Sequence, residues 1–574
     1  MQNQSVPLGH VNQKIISQPL LILMAALSGA LLSIPFLSSD YYALTWIGFV
    51  PLLLAINNVR LGKSYFLGLI TGLVFSVSAS YWVIDFLMLS KGYNFFTSSL
   101  IALFFWFYCA QLFALITLSF KILKNASRIQ ECLLFPLIVV SVFSLYPMIF
   151  TVHLAESQGQ FVTAIQAVEW AGVYGLDAII ALSNIVIFRL LWVLFSEQEN
   201  RPSLFNAWPS LNRWHYLKSW PYAVAILLLA LWFSYGWQAN AHWKDKIDTW
   251  PTVRLGLVQP NETPSLKEQV ILPGYSRAYP PEMAMTERLA SAGAKIVIWP
   301  EAKYKAYLDR EQIAQAYQSQ INLLNIDLIF QDIERIKNPA TSNEVQQFNS
   351  AVMLSKEGEM AAKYQKMKRI AFGEYVPFAS DIPILKKWVE GFFGAFLNEM
   401  ERGSSHQVFQ SKLSHTTNQS ALNIIPLICY ETTFPTFVAS SVKQAVTHTQ
   451  GADMLVGLSS DGWFGSTLQP YQHINSSILR AVENRLPFIH VLNNGPSIVA
   501  MPNGEVIFTT DANQAGGYIV DVPYRRNTQG SFFSHYPNFF INTVYFVLFL
   551  IGLFTFWQAQ KRRTLLFAFC RALS

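Results

Sequence analysis

"NIIPLICYETTFP", residues 423–435, is the stretch that decides how this chain folds. A short apolar run that ends in Cys429, Tyr430 and Glu431 and then meets a turn reads as a buried strand, with a thiol at its end and a carboxylate two positions on. Similar runs recur around it: "VRLGLVQPN", "AKIVIWPEA", "IDLIFQDI", "FNSAVMLS", "DMLVGLSSD", "PFIHVLNNG" and "PSIVAMPNG". Helical patterns such as "PPEMAMTERLASAG" and "QHINSSILRAVENR" lie between them. Strands that alternate with helices predict a layered α/β domain, and we assign it residues 238–530.

The rest of the chain is of another kind. Of 574 residues, 52% are hydrophobic and only 13% charged, too apolar for an ordinary soluble enzyme of this length. The apolar excess concentrates in the first 240 positions and near the end. Segments long enough to cross a hydrocarbon core of about 30 Å as helices fall at 18–38, 41–57, 64–90, 95–120, 132–151, 172–195, 219–237 and 536–557. This predicts about seven spans in 1–237 and one in 531–574. The first follows Lys14 and carries small residues, as a signal peptide does, but further spans follow at once, so we read it as a retained span.

Lysine and arginine give the orientation. Lys14, the pair Arg60 and Lys63, the set Lys121, Lys124 and Arg128, the set Arg201, Arg213 and Lys218, and the final group Lys561, Arg562, Arg563 and Arg571 mark one side. Alternate loops hold almost no positive charge, Lys91 excepted. Both termini are expected to be cytoplasmic, which puts the α/β domain on the outer face, the periplasm of a bacterium. The net charge of +6 then reports this bias and not a nucleic-acid surface, because no basic and aromatic interleaving is present.

Of four cysteines, Cys109 and Cys132 fall in spans and Cys570 in the cytoplasmic tail, which leaves Cys429 alone in the outer domain. A single thiol in an oxidising compartment has no disulfide partner. It is either a small buried hydrophobe or a nucleophile. Glu301 after "IVIWP", Lys366 and Glu374 within "KYQKMKRIAFGEY", and Cys429 after "IIPLI" all sit at strand ends, where α/β sheets hold ligands. Carboxylate, amine and thiol together suit nucleophilic acyl transfer. Glu301 takes the thiol proton, and Lys366 as ammonium stabilises the anionic tetrahedral intermediate. This chemistry calls for no metal and no cofactor.

"IWPE", "YQKMKRIAFGEYVPF", "LICYE" and "SSDGWFG" occur in the order of the Glu-Lys-Cys motifs of the nitrilase superfamily. With the N-terminal spans, the C-terminal span, "SYWVIDF", "WAGVYGLDAIIALSN" and "RAVENRLPFIHVLNNGPS", almost the whole chain resembles the apolipoprotein N-acyltransferases, the membrane-bound branch of that superfamily. The resemblance implies an αββα sandwich and casts Cys429 as nucleophile, Glu301 as general base and Lys366 as stabilising amine. Glu374, Tyr430, Glu431 and Trp463 match supporting or substrate-binding positions. It further implies an acyl donor, preferentially phosphatidylethanolamine, and as acceptor the α-amine of the diacylglyceryl-cysteine that begins an apolipoprotein. Ala302, Ala371, Ser460 and His490 depart from the usual Thr, Pro, Asn and Arg, which bears on acceptor preference more than on reaction class.

An acyl chain costs about 0.8 kcal/mol per CH₂ to expose to water, so such a site is expected to open at the bilayer surface. "LKKWVEGFFGAFLNEM", 385–400, is a candidate amphipathic contact. Other readings remain at this level: a membrane-anchored amidase that transfers to water with the same residues, a catalytically silent lipoprotein-binding factor, and a transporter using the intramembrane acids Asp85 and Asp177.

Overall fold

The computed structural model describes residues 17–127, 129–195, 220–263, 271–301, 304–337, 345–371, 373–375, 384, 400–413, 421–449 and 451–573. Ala302 and nearly all of the 385–400 stretch lie outside these residues.

Among them, seven helical segments are long and apolar enough to cross a membrane: Gln18–Leu37, Ser39–Ile56, Leu61–Ala79, Phe95–Ala126, Val168–Leu194, Trp220–Ile247 and Phe539–Gln558. The segment expected at 132–151 forms a shorter apolar helix, Glu131–Leu145. Phe96, Phe104, Leu228, Trp237, Phe546 and Phe549 lie exposed on these helices, as lipid-facing side chains would be.

The expected span 64–90 is not one helix. It stops at Ala79, and a separate helix, Val83–Lys91, follows. The freed carbonyl of Ala79 accepts a hydrogen bond at 2.8 Å from the side-chain amide of Gln472, which also donates to the Phe36 carbonyl at 3.0 Å. A partner distant in the sequence thus satisfies the helix end. Helix Val168–Phe195 is kinked at Gly172, with φ +63°. A Cβ there would run into the ring of Phe533, so both the backbone and the packing need glycine.

After Trp220–Ile247 the chain enters two six-stranded sheets. The first comprises β1 (Thr252–Gln259), β2 (Ile296–Ile298), β3 (Asp327–Lys337), β4 (Val345–Leu354) and β5 (Met360–Gln365), joined at its β1 edge by β12 (Gly516–Pro523), in the order β12-β1-β2-β3-β4-β5. The second runs β11 (Val506–Thr509), β10 (Ile498–Ala500), β9 (Phe488–Leu492), β8 (Met454–Ser459), β7 (Leu422–Ile428) and β6 (Phe409–Ser411). β1, β2 and β3 are parallel, as are β7, β8 and β9.

Alternation along the strands builds the layers. Ile296 and Ile298 join Ile424, Ile428, Val456 and Leu458 in the cluster between the sheets. Val297 and Trp299 point the other way, into a cluster with Met283, Ile313 and Tyr317 from helices Pro281–Ser291 and Glu311–Leu324. Ile425 and Leu427 pack with Val438 and Leu479 of helices Pro435–Thr449 and Gln469–Asn484. The result is helix, sheet, sheet, helix, the αββα arrangement that the family resemblance implies. The outer helices of the second sheet share their apolar cluster with the membrane helices, including Phe49, Phe135 and Ile180.

Candidate active site

Cys429 follows β7 with φ +50°, a left-handed backbone that costs a non-glycine residue about 1–2 kcal/mol. Alternation would send its side chain outward with Ile425 and Leu427. The left-handed turn instead places Cys429 in the cluster between the sheets, at the wall of a cavity of about 520 Å³. The strain is held by Glu431, which is fully buried. One carboxylate oxygen of Glu431 accepts from Ile428 N at 2.9 Å, and the other from the Tyr364 hydroxyl at 2.7 Å, Met367 N at 2.7 Å and Lys368 N at 3.0 Å. Glu431 does not line the cavity; it ties the Cys429 turn to the loop that carries Lys366.

Glu301 follows β2 on a fixed base. Trp299 is fully buried, its backbone N donates to the Ile329 carbonyl, and its indole donates to Thr286 Oγ1, both at 2.8 Å. The Glu301 carboxylate accepts from Asn349 Nδ2 at 2.7 Å and shares the cavity with Cys429. Lys366 follows β5, with its backbone N on the Asn349 carbonyl at 2.8 Å and its Nζ 2.8 Å from Glu374 Oε1. Glu374 accepts further from Asn349 Nδ2 at 3.3 Å and Ile370 N at 2.9 Å. Glu301, Lys366 and Cys429, each just past a strand, and Glu374, in a turn beyond β5, therefore converge in one cavity.

Electrostatics set the resting protonation. Burial pushes the Cys429 thiol well up, and the Glu301 carboxylate adds to the shift against the opposing Lys366. Burial also raises Glu301, with Glu374 adding and Lys366, Asn349 and the Cys429 thiol opposing. For Lys366, burial opposes the charged form, but Glu374 and Glu301 outweigh it and hold the ammonium. The site thus sets a thiol and a carboxyl group, both of raised proton affinity, beside a fixed cation. That is the arrangement a base-assisted nucleophile needs.

Tyr430 and Trp463 line the same cavity. The Tyr430 hydroxyl donates to the Ile149 carbonyl, and its ring meets Phe150 and Phe434 edge-on at 6.0 and 4.7 Å. Phe36, Trp82, Phe86, Phe150 and Phe464 make the cavity's apolar wall, four of the five from the helical region.

Sequence reasoning missed several participants. Asn349 bridges the two carboxylates and is itself oriented by Gln331 Nε2 at 3.0 Å. A polar residue within the apolar strand "FNSAVMLS" was the available signal. His473 was also missed. Its Nδ1 lies 2.8 Å from Asp461 and its Nε2 2.7 Å from Thr432 Oγ1, which donates to the Cys429 carbonyl. Burial opposes protonation of His473, and Asp461 overcomes it.

Among the departures, His490 is fully buried between Ser459 and Ser477 hydroxyls at 2.6 and 2.9 Å, and burial holds it neutral, with His473 adding to the effect. Ser460 accepts from Asn493 at 3.2 Å, and Ala371 forms a bridge with Tyr375. Asp177 is locked by His153 Nδ1 and Ala155 N, each at 2.8 Å, a structural use of an intramembrane acid.

Two family descriptions match the chain: "Apolipoprotein N-acyltransferase N-terminal domain" over residues 28–186 and "Carbon-nitrogen hydrolase" over residues 276–529. An apolipoprotein N-acyltransferase of Geobacter metallireducens is 27% identical over 533 residues, covering 90% of this chain and 92% of its own length. One from Rickettsia typhi is 31% identical over 263 residues, 45% of this chain and 48% of the relative. Among solved structures, an amidase from Nesterenkonia sp. is 16% identical with TM-score 0.31, covering 47% of this chain and 90% of the amidase.

Proposed function

The chain belongs to the apolipoprotein N-acyltransferase family, a membrane-bound branch of the nitrilase superfamily, and from that premise we propose that it moves an acyl chain from a phospholipid to the N-terminal amine of a diacylglyceryl-cysteine through a thioester on Cys429. The observation that carries this reading is the composition of the cavity. Cys429, Glu301 and Lys366 share it with an aromatic wall drawn largely from the N-terminal region that carries the membrane helices, which suits an acyl donor held in lipid better than a soluble amide.

In the first half-reaction Glu301 takes the Cys429 proton as sulfur attacks the ester carbonyl. The Lys366 ammonium donates to the developing oxyanion, and Glu374 keeps that ammonium in position. The ester C–O bond breaks, and the lysophospholipid oxygen leaves with the proton from Glu301. In the second, the neutral α-amine attacks the thioester, Glu301 takes its proton, the C–S bond breaks and the thiolate recovers the proton. Tyr430 and Trp463 shape the acyl path. Phosphatidylethanolamine is the proposed donor. The loop charges support a catalytic region of 238–530 in the periplasm, between membrane regions 1–237 and 531–574, with both termini cytoplasmic.

The test separates transfer from hydrolysis. A transferase must shield its thioester from water, so the acyl-enzyme formed from phospholipid is expected to persist for minutes without acceptor. A diacylglyceryl-cysteine peptide with a free α-amine discharges it, and the N-acetylated peptide does not. Rapid release of free fatty acid whichever peptide is present would assign the chain to the amidases instead.

A further inference from the structure

The cavity has a second chemical character opposite its aromatic wall. Three arginines from three separate segments line it: Arg277 ahead of helix Pro281–Ser291, Arg310 at the start of helix Glu311–Leu324, and Arg335 near the end of β3. Two of them meet on one ring, with the Arg335 and Arg277 guanidiniums 4.3 and 5.7 Å from the centre of Tyr304. Tyr304 is fixed by its hydroxyl, which donates to Asp309 Oδ2 at 2.6 Å, and Asp309 also accepts from Arg335 N at 3.2 Å and, weakly, from its guanidinium at 3.4 Å. Lys91 lines the same cavity, while Glu262 lies with Arg277 on a smaller adjoining one. The other acids on the cavity wall are engaged: Glu301 and Glu374 with Asn349 and Lys366, Asp461 with His473, and Glu156 with Ser476 and His153 N. Among the described residues of the wall, the arginines gather positive charge at this end.

We propose that Arg277 and Arg335, which meet on Tyr304, form with Arg310 of the same cavity wall a subsite for the phosphodiester of the lipid donor. The assignment rests on the transfer reaction proposed above and adds the residues that hold its substrate. Guanidinium stays charged and meets phosphate oxygens in pairs, which a lysine ammonium cannot do. The spacing suits a glycerophospholipid. Ile333 of β3 pairs with Asn349, the residue bonded to Glu301. Arg335 stands two residues farther along the same face of the strand, about 7 Å, which is the scale of the glycerol linker between an acyl ester and its phosphate. With the ester at Cys429 and the tails against Trp82 and Phe86, the phosphate falls on the arginine wall.

The experiment measures lipid binding to the Cys429→Ala chain in detergent micelles, so that donor is held without turnover. Dioleoylphosphatidylethanolamine is compared with dioleoylglycerol, which has the same tails and no phosphate. Arg277→Ala with Arg335→Ala is expected to weaken the phospholipid at least about tenfold and leave dioleoylglycerol unchanged, while Arg277→Lys with Arg335→Lys keeps part of the discrimination. Equal binding of the phospholipid by the double alanine variant, or an equal loss for both lipids, overturns the subsite. Displacement of the phospholipid by inorganic phosphate at comparable concentration would assign the arginines to a free anion and overturn the lipid assignment. If discrimination is seen as expected but the chain with Cys429 intact gains no acyl group, the subsite stands and the transferase reading falls.

Discussion

The side-chain amide of Asn349 stands 2.7 Å from a carboxylate oxygen of Glu301. The same nitrogen reaches Glu374 at 3.3 Å, so one neutral donor sits between the two acids that face Lys366. A hydrogen bond to a charged group is worth about 1.5–3 kcal/mol, so Asn349→Ala is expected to slow acylation of Cys429 roughly 10- to 150-fold. Single-turnover acylation from phospholipid, read by mass spectrometry, checks it. An unchanged rate would remove Asn349 from the site.

Cys429→Ser should abolish turnover, because a hydroxyl is far less acidic than a thiol and a carboxylate activates it poorly. Glu301→Gln should prevent acylation as well. With Cys429 and Glu301 intact, phospholipid alone should leave an acyl chain that neutral hydroxylamine removes. Near-original transfer by the serine variant would refute the thioester route.

On the mechanism proposed above, acylation needs Glu301 ionised, and burial together with Glu374 raises its pKa. The rate should therefore climb with pH through a value above the usual carboxylate range and fall as pH drops below it. The same shift has a stability sign. An acid raised by folding binds its proton more tightly in the folded state, so its contribution is full below the unfolded pKa and is lost as pH rises through the folded one. Glu301→Gln is thus expected to unfold at a higher temperature than the parent at neutral pH while being inactive, measured by thermal melts in detergent at two pH values.

Glu431 is expected to act through position alone. Glu431→Ala leaves the N–H groups of Ile428, Met367 and Lys368 and the Tyr364 hydroxyl without their acceptor. Each unsatisfied buried group costs about 1–3 kcal/mol. The variant should lose both stability and acylation, whereas Glu431→Gln should keep part of each. Full activity in the alanine variant would show that the tie is dispensable.

From the loop charges we propose that both termini lie in the cytoplasm. A reporter fused after residue 574 should be active only inside the cell, and an impermeant thiol reagent applied to spheroplasts should reach Cys429 when its cavity is open. Activity of the C-terminal reporter only outside would reverse the orientation.

The strands that build the sandwich were legible because burial is written locally. Period-two alternation in β2 and β7 sends Ile296 and Ile298 to one cluster and Val297 to another whatever lies elsewhere in the chain, and the same runs put Glu301 and Cys429 at strand ends. The short or half-exposed strands β5, β6, β11 and β12 carry no such signal, since their pairing comes from neighbours such as β1 and β4 and not from their own side chains. The break after Ala79 was equally invisible. Hydropathy adds along a segment, while the helix end there is satisfied by Gln472, a residue of the other half of the chain. For the same reason the sequence nominated Glu301, Lys366 and Cys429 as the reacting groups proposed here, and only the tertiary structure decided how they meet. Asn349 between two acids, the left-handed turn at Cys429 and the arginines around Tyr304 are contacts between segments far apart in the chain, and no local pattern of residues encodes a distance between them.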